Sequence, residues 1–294
     1  MHINLGVVLI YRDIYIHMKK VLKIWVYSNF HIATIAFLFS LETNYILGIE
    51  TDLKSPIFVF FSTIFIYNLG YYQAILFKKS PQRYHAEWMV KHIPYWGFSM
   101  LVSLIVILYL FASYSYDAQK IIVVLSFISF IYIIHTIKLG KWKLSIRNIP
   151  YFKTIIVSVI WALITVLPQV IDHELMNLTN SWFPLVIERV LFVLPIALMF
   201  DIRDMESDPE SFSTIPRLIG IRMTKVIALL LLIGAFYFFL QIPININPLL
   251  LLPVYILMLF SILYSSPKRN ELYYSAWFDS LIALHAIVII FIMR

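Results

Sequence analysis

Nine apolar stretches, each close to the ~20 residues an α-helix needs to cross a bilayer, follow one another along this chain. They lie at about 24–42, 56–76, 96–114, 120–137, 153–171, 183–200, 224–241, 247–264 and 275–293. Hydrocarbon offers no partner to backbone N–H and C=O groups, so stretches of this length close their hydrogen bonds internally as helices. The expectation is an all-α polytopic membrane protein, a single domain over residues 1–294 with nine transmembrane helices. Composition agrees. Hydrophobic residues make up 61% of the chain and charged residues 13%, and the mean hydropathy of +0.85 is far from that of a water-soluble domain. Cysteine is absent, which excludes disulfide frameworks and thiolate metal sites.

Orientation follows from the basic residues between the stretches, because cytoplasmic loops carry the excess of Lys and Arg. Arg12, Lys19, Lys20 and Lys23 precede the first stretch, and Lys78, Lys79, Arg83 and Lys91 follow the second. Lys138, Lys141, Lys143, Arg147 and Lys153 follow the fourth, Arg203, Arg217, Arg222 and Lys225 the sixth, and Lys268 and Arg269 the eighth. The alternate loops hold only Lys54, Lys120 and a membrane-edge Arg189, with Arg294 at the end. The N-terminus is therefore expected in the cytoplasm and the C-terminus outside. Spread over five segments, the basic residues account for the net charge of +7 without a nucleic-acid partner. Leu5 to Ile10 form a short apolar patch followed by Arg12 and Asp13 without a small-residue cleavage site. A retained interfacial segment is expected, and the lack of a transit segment favours the cell (inner) membrane.

Acid is concentrated in one place. Asp201-Ile202-Arg203-Asp204-Met205-Glu206-Ser207-Asp208 closes the sixth stretch, at its cytoplasmic end. On an α-helix Asp201, Asp204 and Asp208 share a face, and converging carboxylates suit a hard cation carrying a phosphate; the plain alternative is a solvated acidic helix end paired with Arg203 or Arg217. Pro209 disfavours helical geometry at Asp208, so Asp201 and Asp204 carry the argument. The second stretch is interrupted by Asn68-Leu69-Gly70-Tyr71-Tyr72, which suits either interhelical packing or a substrate. Asn29 and His31 read as packing, Asp172, His173 and Glu174 as solvated, and Asp279 as an intramembrane acid facing a cavity or a basic partner.

The acidic segment, followed by Thr214-Ile215-Pro216 and Gly220, resembles the second aspartate motif of the UbiA superfamily of intramembrane prenyltransferases. The helix count and the basic loop from Lys138 to Lys153 are similar to that family too. The resemblance implies a nine-helix bundle around a central cavity. It also implies transfer of a prenyl group from a prenyl diphosphate to an aromatic or other lipophilic acceptor, with Mg²⁺ bound by aspartates. Asp201 and Asp204 take the catalytic role by that likeness, with Asp208 as a further metal ligand and Lys143 and Lys153 in the loop that meets diphosphate. The family's first motif, Asn-Asp-x-x-Asp-x-x-x-Asp, falls here on Asn68, Leu69, Tyr72 and Leu76, so only the asparagine is shared.

With those carboxylates missing, Asn68, Tyr72, Lys79 and Arg83 become the candidate substrate residues on the second helix. Lys79 follows Asn68 by about three helical turns, and a cationic side chain can hold diphosphate directly. Two readings result: a prenyltransferase of the UbiA type, or a protein of that fold that binds an isoprenoid or quinone-like lipid without turnover. A third, a small-molecule transporter, is opposed by the scarcity of paired charges within the spans.

Overall fold

A computed structural model describes residues 17–18, 20–49, 52–76, 84–133, 137–139, 142–144, 152–177, 180–206 and 214–294, with the backbone alone at 74–76, 84–86, 137–139, 142–144 and 177. Its elements are α1 (Phe30–Leu47), α2 (Lys54–Leu76), α3 (Tyr84–Lys91), α4 (Ile93–Phe111) and α5 (Tyr116–Ile133). After a hairpin of β1 (Ile137–Leu139) and β2 (Trp142–Leu144) come α6 (Phe152–Asp172), α7 (Trp182–Asp204), α8 (Ile215–Phe239), α9 (Leu252–Tyr264) and α10 (Asp279–Met293). A 3₁₀ turn, Pro248–Leu251, leads into α9, and a π-helical turn, Tyr273–Phe278, into α10.

Among the described residues, seven helices are long and apolar enough to cross a bilayer: α1, α4, α5, α6, α7, α8 and Tyr273–Met293. The stretch expected at 56–76 is helical as α2 and 23 residues long, but it carries the polar residues from Asn68 to Gln73. The stretch expected at 247–264 yields a shorter apolar helix, Pro248–Tyr264.

The helices form a closed ring. α1 packs on α2, α2 on α4 and α5, and α5 on α6; α6 to α9 then pack in sequence, α9 meets α10, and α10 returns to α1. Small side chains make these approaches close: Ala33, Ala162, Ala228, Ala235 and Ala286 are completely buried. A Cβ added at Gly234 would come within 3.3 Å of Leu191, where α8 crosses α7. The outer surface is apolar as well. On α4, Phe98, Leu101, Ile105 and Leu108 are all more than half exposed, the arrangement that lipid requires and water penalises.

One end of the bundle is knotted by polar contacts. Lys54, starting α2, pairs with Asp172, ending α6, and Asp172 Oδ1 accepts from the Ser115 backbone N–H at 2.7 Å. His173 Nε2 lies 2.8 Å from Asp52 Oδ2, and the Asn44 amide donates to the Asp52 carbonyl. Asp172 was expected to be solvated; instead its side chain is 6% exposed because it joins three helix ends.

Candidate functional site

α7 ends at Asp204, where the chain turns through Met205, and Arg217 donates to the Met205 carbonyl at 2.6 Å. The last helical turn therefore presents Asp201 and Asp204 from one face, whereas Asp208 lies outside the described residues. Both described carboxylates are buried, at 2% and 6% exposure. A buried carboxylate persists only when partnered, and each has partners. Lys153 Nζ lies 3.4 Å from Asp201 Oδ1 and 3.7 Å from Asp204 Oδ2. Thr154 donates to Asp201 Oδ2 at 2.5 Å, and Arg203 Nε to Asp204 Oδ1 at 2.7 Å.

Two carboxylates thus converge on one cationic position, held from the first turn of α6. Arg203 is fixed over the Phe200 ring, 4.4 Å from its centre. Around this centre, Tyr71 of α2 and Glu271 lie within electrostatic reach of Arg203, as does Asp279 at the start of α10. Tyr67 of α2 lies beside Trp161 of α6 and near Asp279. The end of α7 packs on α6 and on the π-helical turn Tyr273–Phe278, with Tyr67 and Tyr71 of α2 toward Asp279 and Arg203.

The expected residues divide sharply. Asp201, Asp204 and Lys153 come together. Asn68 and Tyr72 are not placed with them: Asn68 is fully buried, its Oδ1 accepting from Asn29 at 2.8 Å and its Nδ2 donating to Ser99 at 3.2 Å. Tyr72 is 42% exposed, with its ring centre 5.7 Å from that of Trp96 on α4. Residues four apart share a helix face, so Asn68 and Tyr72 form the stripe that meets α4, and the adjacent stripe of Tyr67 and Tyr71 lies toward Asp279 and Arg203. Lys79, Arg83 and Lys143 have side chains outside the described residues. Sequence reasoning also missed Thr154, whose only signal was its place beside Lys153. Asn29, in a left-handed conformation at φ 64°, and His31, whose Nε2 lies 3.2 Å from the Ala276 carbonyl, serve packing.

Thr214 and Pro216 open α8, and Gly220 interrupts it at φ 80°, ψ 159°, a conformation open essentially to glycine alone. The Thr224 hydroxyl donates to the Gly220 carbonyl at 2.9 Å, so the break falls just before the stretch expected to begin at residue 224.

No family model and no curated protein matches the sequence. Solved structures do match. One is a digeranylgeranylglyceryl phosphate synthase studied in membranes, with TM-score 0.55 and 14% identity over 94% of this chain and 97% of that one. Another is a UbiA homologue from Archaeoglobus fulgidus bound to GPP and Mg²⁺, with TM-score 0.54 and 12% identity over 91% and 99%. The chain is a multi-pass membrane protein with the fold of the UbiA superfamily.

Proposed function

We propose that the chain binds a prenyl diphosphate at the acidic end of α7 and transfers the prenyl group to a lipophilic acceptor, aromatic or otherwise. The observation that carries this reading is the convergence of buried Asp201 and Asp204 on the single ammonium of Lys153. In the transfer, the allylic C–O bond breaks, charge accumulates on the departing diphosphate, and the acceptor's bond to the prenyl carbon forms as its proton leaves.

The residues fit one Mg²⁺. Asp201 and Asp204 are hard oxygen donors that already accommodate one positive charge between them, and Asp208 is proposed as a third ligand. When bound, the ion neutralises charge on the diphosphate. Lys153 supplies a second positive charge to the phosphate oxygens, joined in this proposal by Lys79, Arg83 and Lys143. Tyr67, Tyr71 and Trp161 wall the space beside the acids and keep water from the cationic prenyl carbon.

Supporting the same reading, the solved UbiA homologue binds GPP and Mg²⁺. α2 and α9 are proposed as the spans that complete a nine-helix bundle around a central cavity, with the N-terminus cytoplasmic and the C-terminus outside, in the cell (inner) membrane.

A second reading, binding of an isoprenoid or quinone-like lipid without turnover, is favoured by α2, where Leu69, Tyr72 and Leu76 leave the opposite wall without carboxylates. Purified protein incubated with Mg²⁺ and prenyl diphosphates of several lengths separates the two. Pyrophosphate release with an added acceptor, lost in Asp201→Asn/Asp204→Asn, establishes transfer. Thermal stabilisation without release establishes binding alone, and neither result leaves only the fold.

A further inference from the structure

A second group of charges lies deep among the helices. Glu42 of α1, Glu188 and Arg189 of α7 and His285 of α10 have 0% exposure. Glu188 and Arg189 stand 12–13 residues before Asp201 on the same helix, about 20 Å away at 1.5 Å per residue. His285 lies between the two acids, Nδ1 3.5 Å from Glu42 Oε1 and Nε2 3.5 Å from Glu188 Oε1. Arg189 lies 3.6 Å from Glu42 Oε2 and donates to the Thr165 hydroxyl at 2.7 Å. Tyr255 of α9 donates to Glu188 Oε1 at 3.2 Å. The rings of Phe39, Phe192 and Phe239 also pack around His285.

Two features constrain what this group binds. Among the described residues, both oxygens of Glu42, Glu188 Oε2, Arg189 Nε and Nη2, and both ring nitrogens of His285 have no hydrogen-bond partner, and none has surface open to a water-sized molecule. Orphaned ionic groups at membrane depth carry a large free-energy cost, yet the space around these admits neither water nor any larger ligand. A proton needs no such space. The charges also balance in one way: with His285 doubly protonated, two carboxylates face two cations, whereas a singly protonated ring leaves one net negative charge in the apolar interior. Glu188 Oε1 already accepts from Tyr255 and Glu42 already faces Arg189, so each remains an acceptor and the proton stays on the ring.

We propose that Glu42, Glu188, Arg189 and His285 form a closed proton-binding site that holds one proton on His285 between two carboxylates and thereby locks α1 to α7 and α10. No bond other than N–H forms or breaks; the proton is exchanged with bulk water when these helices part. The site is independent of the diphosphate reading, since its residues touch none of the groups at the acidic end of α7.

The test is ¹⁵N NMR of the full chain, ¹⁵N-labelled at histidine, in lipid nanodiscs at neutral pH. The His285 signal is assigned by difference from His285→Gln, and thermal unfolding is followed in parallel. Both His285 ring nitrogens are expected to be protonated. His285→Gln lowers Tm, and His285→Gln/Glu188→Gln, which restores neutrality, recovers most of the loss. A singly protonated His285 in the native chain, or a double variant no more stable than the single one, overturns the proposal. Should His285→Gln not fold, Glu42→Gln serves in its place. Removing one carboxylate makes the neutral ring the balanced state, so one of the eight histidines switches to a single ring proton; no switch overturns the proposal equally.

Discussion

Lys153, in the first turn of α6, places its ammonium 3.4 Å from Oδ1 of Asp201, in the last turn of α7. Because the same ammonium lies 3.7 Å from Asp204, it holds together two buried carboxylates that would otherwise repel. Lys153→Met is expected to destabilise the protein by about 1–3 kcal/mol, the usual cost of leaving a buried charged group short of a partner. Thermal unfolding checks this, and recovery of most of the lost Tm in Lys153→Met/Asp201→Asn shows that the loss came from the unpaired carboxylate.

The two stripes of α2 should behave differently. Asn68→Ala removes both of the Asn68 hydrogen bonds, to Asn29 and Ser99, and is expected to cost about 1–3 kcal/mol of stability. It should leave diphosphate affinity in the surviving folded protein unchanged. Tyr71→Ala should do the reverse, opening the wall beside the acids and weakening diphosphate binding several-fold with a smaller loss of Tm than Asn68→Ala. Isothermal titration and unfolding of both variants decide the matter, and the opposite pattern would return Asn68 to the site.

Gly220 adopts φ 80° and ψ 159°, so Gly220→Ala is expected to cost about 1–3 kcal/mol through backbone strain alone. No atom of the described residues lies within 4 Å of the position a Cβ would take, so the cost expected is one of backbone conformation and not of a clash. A Tm equal to that of the native chain would show that the break in α8 relaxes freely.

At the other end of the bundle, Asp172→Asn removes the charge that faces Lys54. It should lower Tm by several degrees and leave diphosphate binding intact, since Asp172 and Lys153 stand at opposite ends of α6. A fall in diphosphate affinity without a fall in Tm would contradict this division of the molecule.

Much of this architecture was legible because a membrane span is written as a long local run. Each long apolar run became a helix, and the acidic residues at 201–204 ended one of them as expected. The choice of face on α2 was not legible. Asn68 drew attention as the most polar residue of an apolar run, yet in a membrane bundle an amide is satisfied by a neighbouring helix as readily as by a substrate, and only the packing of α4 reveals which. The deep charge group was less legible still. Arg189 stands near the start of its run and reads from sequence as a membrane-edge residue; in the folded chain its guanidinium turns inward between Glu42 and Thr165. Glu42 and His285 stand 243 residues apart in sequence, so no local pattern pairs them, and the scarcity of paired charges inferred for the spans is corrected by the ring closing α10 onto α1.

The central claim, that Asp201 and Asp204 build a site for a prenyl diphosphate, is tested most directly by thermal unfolding of the purified protein with geranyl diphosphate, with and without Mg²⁺. The native chain should gain several degrees in Tm only when both are present, and Asp201→Asn/Asp204→Asn should gain none. Equal stabilisation of the two proteins, or stabilisation of the native chain by neither diphosphate nor its Mg²⁺ complex, would contradict the claim.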